Sequence, residues 1–223
     1  MADADRAAAL RIVSVSRETL ERINQFVELL LRWQGAVQLV ARADLAKLWT
    51  RHIADSLQLI ELAPGAKRWA DLGSGAGFPG LIIALALRER GKSLVHLVES
   101  DQRKAAFLRE AIRVTQAPAK VYAERVESVA KRLASEVDVV TARALAPLSG
   151  LLELAAPFFA KSIPAVFPKG QDVDNELTEA TKSWNIQSTI VQSRTHPDGK
   201  IVIVERASPR IGTSQAGEAG KRP

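Results

Sequence analysis

From Lys67 onward the sequence alternates between short apolar runs and longer amphipathic stretches, and no other feature narrows the possible folds so far. The apolar runs fall at 67–72, 94–98, 119–123, 137–142 and 163–168. The stretches at 79–90, 101–115, 125–134, 147–160 and 172–183 have helical spacing. Strands joined through helices of this length pair in parallel. The expectation is therefore an α/β fold, a mostly parallel sheet with helices on both faces. The alternation stops near the end. Segments 186–192 and 200–205 flank a loop containing Pro197-Asp198-Gly199. That is a hairpin signal, so the seventh strand is expected to run antiparallel.

The segment before Lys67 reads differently. Residues 1 to about 14 look loosely ordered. Ser16 is placed to cap a helix, with Val15 and Leu20 as a hydrophobic staple. Leu20, Ile23, Val27, Leu30 and Leu31 then share one helical face. A second helix is expected from near Asp44, with Leu48, Trp49, His52, Ile53 and Ile60 at helical spacing. The division that follows is an N-terminal helical extension over 1–63, a nucleotide-binding domain over 64–206 and a disordered tail over 207–223. The chain has 223 residues and is 47% apolar, enough for a real core. It has no cysteine, which excludes disulfides, cysteine zinc sites and cysteine nucleophiles together. No apolar run approaches the ~18–20 residues of a membrane span, and the acidic start is unlike a signal peptide. A cytoplasmic protein without membrane attachment is expected. The net charge of +6 suits a polyanionic partner, as it suits many proteins without one.

The first strand runs into Asp71-Leu72-Gly73-Ser74-Gly75-Ala76-Gly77-Phe78-Pro79-Gly80. A strand, a glycine turn and a helix in that order build a site for a nucleotide. Gly75, Gly77 and Gly80 fit the dinucleotide pattern G-x-G-x-x-G. Gly73, Gly75 and Gly77, preceded by an acid, fit the tighter pattern of S-adenosylmethionine-dependent methyltransferases. Asp71 favours the second, since a carboxylate at the strand end can face a cationic amino group. The terminal hairpin favours it too. Glu99 closes the second strand, where an acid reaches ribose hydroxyls; otherwise it is a solvated carboxylate. Arg125-Val126-Glu127 follows the third strand, beside the expected position of a base, or is simply the first turn of a helix. Arg143 follows the fourth strand and so faces the crevice at the strand ends.

Together these residues resemble one family, the bacterial 16S ribosomal RNA small-subunit methyltransferase G, also called glucose-inhibited division protein B. The likeness covers roughly residues 20–205. It is carried by Leu39-Val40-Ala41-Arg42, Arg51-His52-Ile53-Ala54-Asp55-Ser56-Leu57, the glycine turn, Arg125-Val126-Glu127, Thr141-Ala142-Arg143-Ala144 and Pro168-Lys169-Gly170. Phe78 stands where leucine is common, and Gln38 replaces a frequent asparagine. The resemblance implies a Rossmann-like methyltransferase fold with S-adenosylmethionine as cofactor. It also implies 16S rRNA, in the small ribosomal subunit or an assembly intermediate, as partner; a monomer is the default, since the sequence gives no oligomeric state. The reaction implied is methyl transfer to N7 of guanine 527. Carried over by motif, the cofactor residues are Gly73, Phe78, Val126, Glu127 and Arg143, alongside Asp71, Gly75, Gly77 and Glu99.

N7 of guanine is a lone-pair nucleophile, so no residue is expected to act as acid or base. Arg143 is cast as a positioning group that holds cofactor or RNA phosphate. His52, on the apolar stripe of its helix, is either a hydrogen-bonded packing histidine or a contact to RNA. Lys169, at the end of the fifth strand, is a candidate phosphate contact. Arg88, Arg90, Lys92, Arg103, Lys104 and Arg109 are candidates for a basic surface. Two competitors stay open: a dinucleotide-dependent oxidoreductase, and an RNA-binding factor without catalysis.

Overall fold

A computed structural model describes residues 2–210. Its sheet has seven strands: β1 (Arg68–Leu72), β2 (Leu94–Val98), β3 (Ala119–Tyr122), β4 (Val139–Ala142), β5 (Ala165–Lys169), β6 (Trp184–Gln192) and β7 (Lys200–Pro209). The spatial order is β3-β2-β1-β4-β5-β7-β6. Pairings from β3 through β5 are parallel. β7 lies antiparallel between β5 and β6. The order reverses beside β1, so a crevice opens at the carboxyl ends of β1 and β4, where sheets of this kind bind ligands.

The helices of the alternating region are α5 (Gly80–Leu87), α6 (Gln102–Thr115), α7 (Val126–Leu133), α8 (Leu148–Phe159) and α9 (Val173–Ser183). Trp69 packs on the face of the sheet shared with α5 and α6, and its neighbours Ala70 and Leu72 pack on the other face with α7 and α8. This is the period-two alternation of a strand covered on both sides. No helix among the described residues is long and apolar enough to cross a membrane.

The N-terminal segment departs from expectation in two places. Residues 2–12 are not loose but form α1 (Ala2–Ile12). Asp5 pins that helix, its Oδ2 accepting the Trp49 N–H at 2.8 Å and its Oδ1 the Thr50 hydroxyl at 2.6 Å. The Arg6 guanidinium stands 5.2 Å over the Trp49 ring. α2 (Arg17–Trp33) starts as expected, with the Ser16 hydroxyl accepting the Thr19 N–H at 3.0 Å. The expected single helix from Asp44 is instead four pieces: a 3₁₀ turn (Arg42–Lys47), a wide π-type turn (Trp49–Ala54), α3 (Asp55–Leu57) and α4 (Leu59–Leu62). The segment buries Ile23, Phe26, Leu30 and Ile53 in one core with Trp69, Phe78 and Phe107. It therefore packs as part of the sheet's own core.

The tail boundary also shifts. Residues 207–209 continue β7, with Ala207 opposite Ile186 and Pro209 opposite Trp184. The rest of the expected disordered tail, residues 211–223, lies outside the described residues.

Candidate functional site

The glycine turn wraps the end of β2. The N–H groups of Gly73 and Ser74 both donate to the Val98 carbonyl at 2.9 Å. Gly73, Gly75 and Gly77 have φ of +72°, +54° and +93°, which L side chains rarely adopt. A Cβ on Gly75 would meet nothing closer than the Gly73 carbonyl at 3.9 Å, so the bare backbone there faces open space. A Cβ on Gly80 would lie 2.5 Å from Asp71 Oδ2 and 2.6 Å from Leu97 Cδ2. The two glycines serve different ends: Gly75 leaves room for a ligand, and Gly80 lets α5 sit down on β1.

Asp71 is not where the sequence reading put it. In β1 it shares the Trp69 face, so its side chain runs beneath α5 and not into the crevice. It is fully buried, and Oδ2 accepts the Gly80 N–H at 3.0 Å while Oδ1 has no partner. Burial raises its pKa to about 6, outweighing the Ser74 hydroxyl, the Gly80 hydrogen bond and the Arg143 charge. The expected carboxylate for a cationic amino group is thus a buried cap for α5.

A cleft of about 380 Å³ opens beside the turn, walled by Gly73, Gly75, Phe78, Glu99, Val126 and Glu127, with Arg143 at one end. The Glu99 carboxylate is held from two sides. Oε2 accepts the Gly75 N–H at 2.8 Å and Oε1 the Asp101 N–H at 2.8 Å. Each oxygen keeps a further lone pair for hydroxyl donors. Val126 and Glu127 form the first turn of α7, whose free N–H groups border the cleft. Lys104 and Arg125 also line it, a cationic contribution that Arg125 shared with a named motif and that Lys104 did not.

Arg143 leaves β4 just before Ala144, whose φ of 52° is left-handed and strained by about 1–2 kcal/mol. Its guanidinium meets the N-terminal segment three times. Nη1 donates to the Arg51 carbonyl at 3.2 Å and lies 3.5 Å from Asp55 Oδ2, and Nη2 is 2.7 Å from His52 Nδ1. It also stands 5.4 Å from the Phe78 ring centre, and Phe78 stacks on the His52 ring at 4.9 Å. A guanidinium has only donors, so His52 Nδ1 is the acceptor and its proton sits on Nε2. Burial, then Arg143 and Arg51, lowers the His52 pKa to about 3, which keeps the ring neutral. His52 is thus hydrogen-bonded through Nδ1, and it also lines the larger cavity beyond Arg143.

A second, larger cavity of about 970 Å³ lies on the other side of Arg143. Its walls come from the 44–55 segment, from Pro168 to Gln171 at the end of β5, and from residues 193–200, where β6 turns into β7. Arg143 and Ala144 are the residues that line both spaces. Asp55 ties two walls together: its Oδ1 accepts the Thr195 hydroxyl at 2.7 Å and the Gln58 amide at 2.8 Å. Lys169, the candidate phosphate contact, lines this cavity as an ion-paired side chain. Its Nζ lies 2.6 Å from Glu176, whose Oε2 also accepts the Leu148 N–H and so caps α8.

The proposed basic surface divides. Arg103 and Lys104 begin α6 at the carboxyl edge of the sheet, beside the cleft. Arg88, Arg90 and Lys92 lie between α5 and β2, at the opposite edge, where Arg88 donates to the Gln116 carbonyl and Arg90 to that of Pro64 at 3.3 Å. Asp55 and Ala144 stood inside the quoted motifs without an assigned role, and no role was assigned to the 193–200 loop. The Pro197-Asp198-Gly199 turn marked that loop only as a connection. Among the described residues no group of three or more His, Asp or Glu side chains is gathered for a metal.

Comparison with known proteins adds to this geometry. The family model described as rRNA small subunit methyltransferase G matches residues 19–203. A ribosomal RNA small subunit methyltransferase G from a Bradyrhizobium species is 54% identical over 202 residues, 91% of each chain. One from Nitrobacter hamburgensis is 51% identical, over 93% of this chain and 80% of its own. Among solved structures, an S-adenosylhomocysteine-bound Podospora anserina methyltransferase superposes with a TM-score of 0.60 at 14% identity, covering 90% of this chain and 94% of its own. An O-methyltransferase from Bacillus cereus gives 0.59 at 15% identity, covering 91% and 97%. At those identities the likeness is one of fold.

Proposed function

Since the chain belongs to the rRNA small subunit methyltransferase G family, we propose that it moves a methyl group from S-adenosylmethionine to N7 of guanine 527 in 16S rRNA. The observation that carries this reading is the junction of two spaces at Arg143 and Ala144, one glycine-lined and one large and open, above the carboxyl ends of β1 and β4. The residues fit the cofactor on their own terms. Gly75 leaves a bare backbone where a side chain would stand, and Glu99 offers lone pairs to a ribose. Gly73, Phe78, Val126, Glu127 and Arg143 complete the wall. Gly77 and Asp71 support it from beneath: a Cβ on Gly77 would meet Leu81 at 3.0 Å.

When bound, S-adenosylmethionine supplies an electrophilic methyl group on a sulfonium. The chain's part is orientation. Guanine N7 already carries a lone pair, so no proton need leave it and no side chain need act as a base. The imidazole beside Arg143, that of His52, has its Nδ1 lone pair occupied by Arg143. Arg143 holds its position between the two spaces and presents charge to both. The reading takes the enzyme as a cytoplasmic monomer acting on the small subunit or an assembly intermediate.

The test is a methyl-transfer assay on small-subunit particles from a strain lacking the protein. A single 7-methylguanosine at position 527, mapped by nuclease digestion and mass spectrometry, is expected. Methylation elsewhere, or none on naked rRNA, intermediates or mature subunits, would overturn the assignment. Calorimetry with S-adenosylmethionine and NAD separately decides the dinucleotide alternative, since binding of NAD alone would support an oxidoreductase.

A further inference from the structure

We propose that His52 is a positioning residue: its Nδ1 lone pair aims the Arg143 guanidinium at the junction of the cofactor cleft and the larger cavity. The proposal rests on the reading of the smaller cleft as the cofactor site. β4 delivers the residue to the strand end, and the strained turn at Ala144 directs the chain away at once. Nothing in the sheet itself hydrogen-bonds the guanidinium. Its partners are the Arg51 carbonyl, Asp55 and His52, all from the π-type turn and the start of α3. Of these the contact to His52 is the shortest, at 2.7 Å.

An imidazole is the suitable partner for this place. A second carboxylate beside Asp55 would neutralise the guanidinium, which would then have little charge to offer a ligand. A neutral imidazole accepts one hydrogen bond and leaves the charge in place. The ring is in turn fixed from the side by Phe78, which lies 4.9 Å away at 31° and lines the cofactor cleft. Cofactor wall, imidazole and guanidinium are thus packed in series. The wide turn at Trp49–Ala54 matters here, because π-type windings shift side-chain direction and recur at functional sites. The N-terminal segment then acts as a part of the transfer site and not as an appendage to it.

A role through Arg143 makes a prediction that a packing role does not. Cofactor affinity is measured by calorimetry on the full chain for wild type, H52F, R143A and the double variant, with thermal melting as a check on folding. Calorimetry needs no methyl transfer, so the result is separate from the success of the methylation assay. H52F keeps the ring's size and its stacking on Phe78 but removes the acceptor. The expected losses are about ten- to hundredfold for R143A and for H52F, the range of a hydrogen bond to a charged group. In the R143A background H52F should cost no more than about twofold, because the two act as one unit. Additive losses, an H52F variant that binds like wild type, or an R143A variant that does so would each overturn the proposal. If H52F does not fold, H52N and H52Q replace it. Asn places an acceptor where Nδ1 stands and should recover most of the affinity, whereas Gln places it at Nε2 and should not; equal behaviour of the two would refute the aim through Nδ1.

Discussion

Asp71 is a fully buried carboxylate whose Oδ2 accepts the Gly80 N–H, with the Ser74 hydroxyl, bonded to the Asp71 backbone carbonyl, close by. Its pKa rises from an ordinary 3.8 to about 6, so the folded protein holds this proton more tightly than the unfolded chain does. Stability that the protonated group contributes is present below pH 3.8 and is lost as pH rises through 6. At 1.36 kcal/mol per pH unit the whole loss is about 3 kcal/mol. Between pH 4.5 and pH 8 about 2 kcal/mol of it falls. D71N cannot ionise and escapes the loss. The fixed cost of an amide in this position is the same at both pH values, and every other titrating group is common to both proteins. The stability difference between D71N and wild type should therefore move by about 2 kcal/mol in favour of D71N from pH 4.5 to pH 8, read from urea unfolding. For a chain of 223 residues this is a relative shift of about 4–8 °C in melting temperature. A difference that does not change with pH, or that moves the other way, would refute the argument that desolvation outweighs the Ser74 hydroxyl, the Gly80 bond and the Arg143 charge.

Two further outcomes follow from the same turn. G80A forces a Cβ to within 2.5 Å of Asp71 Oδ2 and 2.6 Å of Leu97; overpacking of this kind costs about 1–3 kcal/mol, and a variant that melts with wild type would show that α5 can rise from β1 without penalty. E99Q replaces one of two acceptor oxygens that face the Gly75 and Asp101 N–H groups, so S-adenosylmethionine affinity should fall about ten- to hundredfold by calorimetry, and unchanged affinity would remove Glu99 from the cofactor site.

The sheet was legible because each of its signals is local. β2 was read at its observed ends, and most other strand and helix ends fell within one or two residues, since apolar period and turn chemistry decide them. α1 was missed although its alanines favour helix, because a short helix is stabilised mainly by what it packs on, here Trp49 and Thr50 some 44 residues away. The reading of 207–223 as tail stopped too early because β7 is extended by its pairing with β6, and a pairing register is not written in either strand alone. In the site, the glycines carried their own message through backbone freedom. The direction of Asp71 did follow from strand alternation with Trp69, yet its position at the strand end suggested the crevice. The partners of Arg143 stood beyond such reasoning, since His52 lies 91 residues before it and only the fold brings them together.

Asp55 finds its Gln58 partner three residues on, but its Thr195 partner 140 residues later. On a ribosome that adds ~5–20 residues per second, that interval is roughly 7–28 s. The glycine turn, Glu99 and Arg143 all emerge well before it ends, so a nascent chain can own most of its cofactor wall while the larger cavity still lacks a side. The Asp55 bond to Thr195, and with it one wall of the second space, can therefore form only after the 193–200 loop has been made.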